Sequence, residues 1–422
     1  MSDKTLLFST RDLRIPFEYK DNYKDAINSL GGNSGNLLFF NAIQYFLEQA
    51  KTEFDVNCSL SNFFTKEANE KYSCFIVSCA NWINSNSKNL LINLANDLKN
   101  ITKPVFFIGL GAQSNTLNNY NFIQPIQNEL SVFIKAVLDT GGGFGLRGEY
   151  TANLFRSLGF NEGYSVIGCP SLYQNGNKIE ISNTKVEYED FKPLFNGKMY
   201  LKQESAEIYK FHKDSEYVCQ DDLFKFLFYP KELTKFEKRS ILAFSDEVIN
   251  LLITKRLQLF PELTQWISYL NSKGFNFLLG NRFHGNVVGI LNEIPSLIHI
   301  FDSRTSELAD FFRIPTVHDF NLSNSKTVYD LYCNTDYTSF NENFHNRFED
   351  FNKFVSKNNL PLSVPKEKNN SFIDSTFQMP DYKPSVLDEL LTEYINFKPT
   401  KIISRFLNKR KQFIVKKRDL LF

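Results

Sequence analysis

The sequence predicts an α/β protein: two doubly wound units of strands and helices, followed by a basic helical extension. Three observations lead there. Short apolar runs alternate with helix-length segments through residues 31–300, the pattern of parallel strands joined by crossover helices. Several of the runs end in glycine or polar residues, where such a strand turns into its helix. Residues 398–418 hold nine Lys or Arg and no acid, with apolar residues at helical spacing between them. The predicted boundaries are 1–174 and 175–330 for the two Rossmann-like units and 331–422 for the extension.

In the first unit, the glycine-rich turn at 31–36 runs into a helix at 37–47. Cys74-Phe75-Ile76-Val77-Ser78 reads as a strand buried on both faces, and 88–100 as a helix. Residues 104–111 read as a second buried strand, 122–139 as a helix, 144–147 as a strand, 149–158 as a helix and 164–167 as a strand. In the second unit, strands are expected at 198–201, near 217–219 and at 241–244. A helix at 263–272 then leads to a strand at 275–279, a helix at 284–292 and a strand at 295–300. Residues 331–380 carry a poorer pattern, read as a helical extension or an irregular wrap. From Pro384 the chain reads as helix again.

Composition bounds the function. A length of 422 residues suits two to three domains. A net charge of +1 gives no global field for nucleic acid. The 43 phenylalanines are read as a bias of base composition, and no function is drawn from them. The six cysteines form no CxxC pair and no metal spacing, so buried reduced thiols and no metal are expected. The start, MSDKTLLFSTRD, lacks a signal-peptide core, and no run of 18 apolar residues occurs, so a cytoplasmic protein is expected.

The segment richest in chemistry is Leu278-Leu279-Gly280-Asn281-Arg282-Phe283-His284-Gly285. An apolar strand ends and delivers Asn, Arg and His where a helix begins. A helix N-terminus attracts anions, an arginine fork fits carboxylate or phosphate, and histidine exchanges protons near neutral pH. Gly285 lets backbone approach a ligand. A capped strand–helix junction facing water explains the same spacing equally well. Arg147, in Gly145-Leu146-Arg147-Gly148-Glu149, stands at a second strand end, where a structural ion pair is the plainer reading. Asp302 or Ser303 reads as the cap of a helix starting near Thr305. Gly109-Leu110-Gly111-Ala112-Gln113 reads as a tight turn or a cleft wall, and the turn at 31–36 is neither GxGxxG nor a Walker loop. The scattered His212, His299, His318 and His345 read as structural or solvent-facing.

At these motifs the chain resembles the polysaccharide pyruvyl transferase family. The resemblance rests on Gly280-Asn281-Arg282-Phe283-His284-Gly285, Ile294-Pro295, the run from Asp302 to Leu308, and Ile314-Pro315. It also rests on Arg147-Gly148-Glu149 with Gly168-Cys169-Pro170-Ser171, and on Gly32-Asn33-Ser34-Gly35-Asn36. It covers residues 30–318, and Asn36 departs from the aspartate of many relatives. Two facing units of this kind also resemble the GT-B arrangement, with the site in the cleft between them.

The resemblance implies transfer of a pyruvyl group from phosphoenolpyruvate, as donor substrate and without a cofactor, onto two hydroxyls of a cell-surface glycan, capsular, exopolysaccharide or lipid-linked, releasing phosphate. It implies donor binding by Arg147, Arg282 and His284, with Phe283 where relatives often carry leucine and Gly285 beside them. His284 is the expected general acid. Asp302 is the first candidate base, with Glu307 and Glu149 as alternatives. Asn33, Asn36, Gln113, Asn281, Arg304 and Glu307 are expected to line the cleft or meet the acceptor. Domain closure is expected to bring the two arginines together. The basic tail is either a docked helix or an interfacial one, the latter giving peripheral contact with the inner face of a bacterial membrane near lipid-linked glycan. The alternatives are a glycosyltransferase of GT-B type using a nucleotide sugar, and a catalytically silent glycan-binding member of the assembly machinery.

Overall fold

A computed structural model describes residues 4–18, 20–114, 119–197, 215–220, 224–234, 237, 251, 254, 256–300, 302–318 and 325–367. The strands expected at 198–201 and 241–244, the helix expected from Pro384 and the basic segment 398–418 lie outside the described residues.

Among the described residues, two six-stranded sheets of parallel strands form the frame, the first in the order β2-β1-β3-β4-β5-β6. Its strands are β1 (Thr5–Phe8), β2 (Phe54–Asn57), β3 (Cys74–Ser78), β4 (Val105–Leu110), β5 (Gly143–Leu146) and β6 (Tyr164–Val166). Leu7 of β1 pairs with Val56 on one side and Ile76 on the other. β3 and β4 are buried along their whole length, as unbroken apolar runs in a doubly covered parallel sheet should be. The helices are α1 (Tyr23–Ser29), α2 (Leu37–Gln49), α3 (Lys66–Lys71), α4 (Lys88–Leu98), α5 (Gln127–Asp139) and α6 (Glu149–Ser157). The helix expected at 122–139 begins as a 3-10 turn at Asn121–Ile126, where Pro125 withholds an amide. The strands β1 and β2 were missed because four-residue runs with mixed polarity carry little period.

The second sheet runs β12-β11-β10-β7-β8-β9. Its strands are β7 (Pro193–Asn196), β8 (Glu216–Val218), β9 (Leu257–Gln258), β10 (Phe277–Gly280), β11 (Ser296–His299) and β12 (Thr316–Val317). Its helices are α7 (Phe224–Phe228), α8 (Leu263–Lys273), α9 (Phe283–Leu291) and α10 (Ser303–Phe312). Strand order reverses between β7 and β10, whose carboxyl ends bring Asn196 beside Gly280. Such a reversal opens the crevice where ligands of open α/β sheets bind. β7 was missed; its proline sits at the first strand position, the one central place that tolerates it.

The chain then forms α11 (Ser325–Asn334) and α12 (Thr338–Lys357). α12 buries Phe340, Phe344, Phe348, Phe351 and Phe354 in one stripe. The stripe does not stay with the second sheet. It joins a core that also holds Leu7, Ile76 and Phe106 of the first sheet and Leu278 and Ile298 of the second. Phe351 lies 5.7 Å from Phe46 of α2 and 5.1 Å from Tyr173. The phenylalanines read as a compositional bias thus form the apolar mortar between the units. An apolar core running through both halves does not suit easy relative motion. In this structure the sequence-predicted Arg147 and Arg282 both lie within electrostatic reach of His284. The two sheets with their helices make the α/β, GT-B-like architecture expected from the sequence.

Candidate active site

The site is built where the strand ends of both units meet. β10 ends at Gly280, and Arg282 is the N-cap of α9 in extended conformation with no side-chain capping bond of its own. The first amides of α9, from Phe283 to Gly285, therefore lack the intrahelical partners that later turns enjoy. Asn286 braces the junction: its amide donates to Gly280 O and Arg282 O (both 3.0 Å) and accepts from Asn196 Nδ2 (3.2 Å). Gly285 is required by this crowding, since a Cβ there would lie 2.5 Å from Asn196 Oδ1 and 2.6 Å from Gln220 Nε2.

His284 is buried at the second position of α9. Its Nε2 lies 3.4 Å from Cys169 Sγ, which is 3.0 Å from Ser171 Oγ. Its ring faces Phe39 at 5.6 Å and Phe283 at 5.5 Å. Burial holds its imidazole well below the usual range, and the positive charges of Arg147, Arg304 and Arg282 push it lower. One buried neutral histidine thus stands in the field of three arginines from both units.

Arg147 follows β5 and is 2% exposed. Its Nε donates to Gly109 O (2.8 Å) and its Nη1 to Asn81 Oδ1 (2.9 Å). Its buried Nη2 has no partner. An orphaned guanidinium donor this deep is costly unless an anion completes it. Phe39 of α2 lies below the guanidinium at 5.8 Å.

The start of α10 closes the far side. Asp302 is its N-cap: Oδ1 accepts from Thr305 N (2.9 Å) and Thr305 Oγ1 (3.0 Å). Its Oδ2 accepts from Gln113 Nε2 (3.3 Å) and pairs with Arg304 (3.5 Å). The capping role read from the sequence is present at Asp302, and the helix starts at Ser303, two residues earlier than expected. Ser303 Oγ accepts from Ser114 N (2.9 Å) and Ser303 N donates to Ser114 O (3.2 Å), tying α10 to the loop after β4. Glu307 spans the units. Its Oε1 accepts from Thr151 N (2.6 Å) and its Oε2 from Thr151 Oγ1 (3.0 Å), in the first turn of α6. Gly148 leaves room for it, since a Cβ there would sit 2.3 Å from Glu307 Cγ. Burial pushes the Glu307 carboxyl up to about 7, although the Thr151 bonds and Arg147 pull the other way.

The structure thus gathers Arg147, Arg282, His284, Asp302, Arg304, Glu307 and Gln113 at one seam. Phe283 adds no polar group: it is buried in the shared apolar core. Asn281 is half-buried beside Gly197. Asn33 and Asn36 stand at the turn before α2, where Ser34 N donates to Gln220 O of the second unit (2.9 Å). Asn36 stands at the N-cap of α2 without a side-chain capping bond; its amide donates to Gly31 O (2.6 Å) and closes the turn on itself. Glu149 is engaged at the surface by Arg156. Sequence reasoning missed Asn81, Thr151, Asn196, Gln220 and Asn286, single polar residues with no motif of their own. Cys169 was seen only as part of a landmark. All six cysteines are free, four buried and two, Cys58 and Cys333, exposed, so the expectation of buried thiols fails at those two. Among the described residues no group of His, Cys, Asp or Glu has metal-site geometry, and no helix is long and apolar enough to cross a membrane.

Two parallel α/β units joined at their strand ends around a buried cationic centre define a GT-B-like architecture. The chain belongs to the polysaccharide pyruvyl transferase family, whose sequence model matches residues 33–299, and it is therefore a transferase. A search of curated proteins finds no match. Among solved structures the chain is similar to UDP-GlcNAc 2-epimerase from Neisseria meningitidis bound to UDP-GlcNAc, at 12% identity and a TM-score of 0.40, covering 85% of this chain and 100% of that one. It is likewise similar to the S. aureus MnaA–UDP complex, at 13% identity and a TM-score of 0.41, covering 87% and 100%.

Proposed function

We propose that the chain transfers the pyruvyl unit of phosphoenolpyruvate onto two hydroxyls of a surface-glycan sugar, forming a ketal and releasing phosphate. The observation that carries this is the convergence of Arg147, Arg282 and Arg304 on buried His284 at the amino end of α9. Phosphoenolpyruvate presents a carboxylate and a phosphate close together. It needs several fixed cations and backbone donors, and this centre supplies both kinds. A nucleotide sugar asks instead for a base pocket and a ribose partner.

In the reaction, a donor bound to the arginines raises the affinity of His284 for a proton. His284 protonates the methylene carbon, and a sugar hydroxyl bonds to the adjacent carbon. The carbon–oxygen bond to phosphate then breaks, and the second hydroxyl closes the ketal. One hydroxyl proton replaces the one His284 gave up, and the other leaves with phosphate. Asp302 is the base expected from the sequence, but both its oxygens are held by the cap, Gln113 and Arg304. Glu307, whose two oxygens both accept from Thr151, is the alternative: burial pushes its carboxyl up to about 7, nearer the operating range of a base.

The test is phosphate release from phosphoenolpyruvate with and without acceptor glycan, with mass spectrometry of the glycan. The expected result is acceptor-dependent release and the mass gain of one pyruvate ketal. Inertness toward phosphoenolpyruvate, with transfer from a nucleotide sugar under the same conditions, would overturn the reading.

A further inference from the structure

The cationic centre accounts for the anionic donor and leaves a second feature unused. At the seam between the units is a cavity of about 770 Å³, walled by α6 and β6 of the first unit, α10 of the second, and the returning helix α12. This is within the size range of small-ligand sites.

Its chemistry is unlike that of the cationic centre. Four carboxylates and four cations line it, so it offers no net field to a dianion. Some of these charges already neutralise each other: Arg347 pairs with Asp350 at 3.2 Å, and its guanidinium lies over Phe311 at 4.4 Å. One wall is a rigid aromatic platform. The rings of Tyr120 and Tyr150 stack at 4.7 Å and 16°, and each hydroxyl is fixed on a backbone carbonyl (2.9 Å each). Asn153 and Ser165 add neutral hydrogen-bonding groups. Flat apolar rings beside a rim of hydroxyl, amide and carboxylate groups match a pyranose, which has an apolar face and a hydroxylated edge.

The cavity adjoins the first turns of α10, beside the Asp302 cap. Ser303 and Glu307 line it, and Glu307 is within the electrostatic reach of Arg147. We infer that this cavity is the acceptor site, holding an uncharged, hydroxyl-rich saccharide with one sugar edge turned toward Glu307. The inference rests on the proposed pyruvyl transfer for its chemistry, but saccharide binding can be read without it.

The test plugs the cavity from a helix surface. Ser306, partly exposed on α10, is replaced by tryptophan, with Ser306→Ala as the control that keeps the space open. Binding to an array of neutral oligosaccharides built from glucose, galactose and N-acetylhexosamines is measured for the whole chain, and phosphoenolpyruvate affinity is measured separately by calorimetry. The expected result is that the wild type and Ser306→Ala retain the same saccharides, while Ser306→Trp binds them about tenfold more weakly or worse. Its phosphoenolpyruvate affinity and melting temperature should stay unchanged. Saccharide binding undiminished by the plug, or no array saccharide held by the wild type, would overturn the inference. Saccharide binding lost to the plug in a protein that ignores phosphoenolpyruvate would sink the proposed reaction and leave the cavity assignment standing.

Discussion

His284 concentrates the chemistry at the scale of single residues. Its proton is disfavoured by burial and by three arginines, so the empty centre holds a neutral ring. A dianion cancels part of that field, and binding should draw a proton from solution. Calorimetry of phosphoenolpyruvate binding near neutral pH, in buffers of different ionisation enthalpy, should show net proton uptake by the wild type and less by His284→Ala. Equal uptake by both would remove the switch from His284. The same substitution should cut turnover by about 10²–10⁴-fold while leaving donor affinity less affected, as loss of a positioned acid does. Arg282, Phe283, His284 and Gly285 were legible in the sequence because a strand, a polar burst and a helix follow one another there. Asn81 and Thr151 were not, because their roles arise only when distant segments meet.

Among the elements, the pairing of α6 with α10 has the clearest energetic sign. Glu307 satisfies the amide and hydroxyl of Thr151, in the first turn of α6. Its carboxyl titrates near 7 when folded against an ordinary 4.5, so the folded protein holds this proton more tightly than the unfolded chain. The associated stability is complete below 4.5 and is lost as pH rises through about 7. At about 1.4 kcal/mol per unit, the loss is on the order of 3 kcal/mol. Glu307→Gln keeps the shape and removes the charge. Its unfolding free energy should therefore lack this fall, exceeding that of the wild type above pH 7, while its turnover drops. Denaturant titrations across that range that run parallel for both proteins would refute the assignment. Glu307 was legible as polar and near a helix start, but its partner was not, since Thr151 is 156 positions away.

For the molecule as a whole, the shared apolar core is the controlling fact. The two-unit frame was legible because alternating strands and helices leave a period in the sequence. The joint between the units was not read, although Phe340, Phe344, Phe348, Phe351 and Phe354 stand three or four residues apart, a plain helical stripe. The poor surrounding pattern and the high phenylalanine content masked it. Phe351→Ala should cost about 3–5 kcal/mol, as emptying an aromatic core site does. Because the core runs through both sheets, probes in the two units should report one coincident unfolding transition. Two separated transitions in the wild type would show that the units are energetically independent.

The return of α12 to Phe46 and Tyr173 also separates contiguity in the gene from contiguity in folding. A fragment cut after residue 174 would carry every strand of the first sheet yet present Phe46 and Tyr173 to water. Such a piece is expected to aggregate when expressed alone, and to be rescued in trans by a peptide spanning Thr338–Lys357. The amino-terminal half is completed by residues translated near the other end of the chain, so cotranslational folding of that half must wait for them.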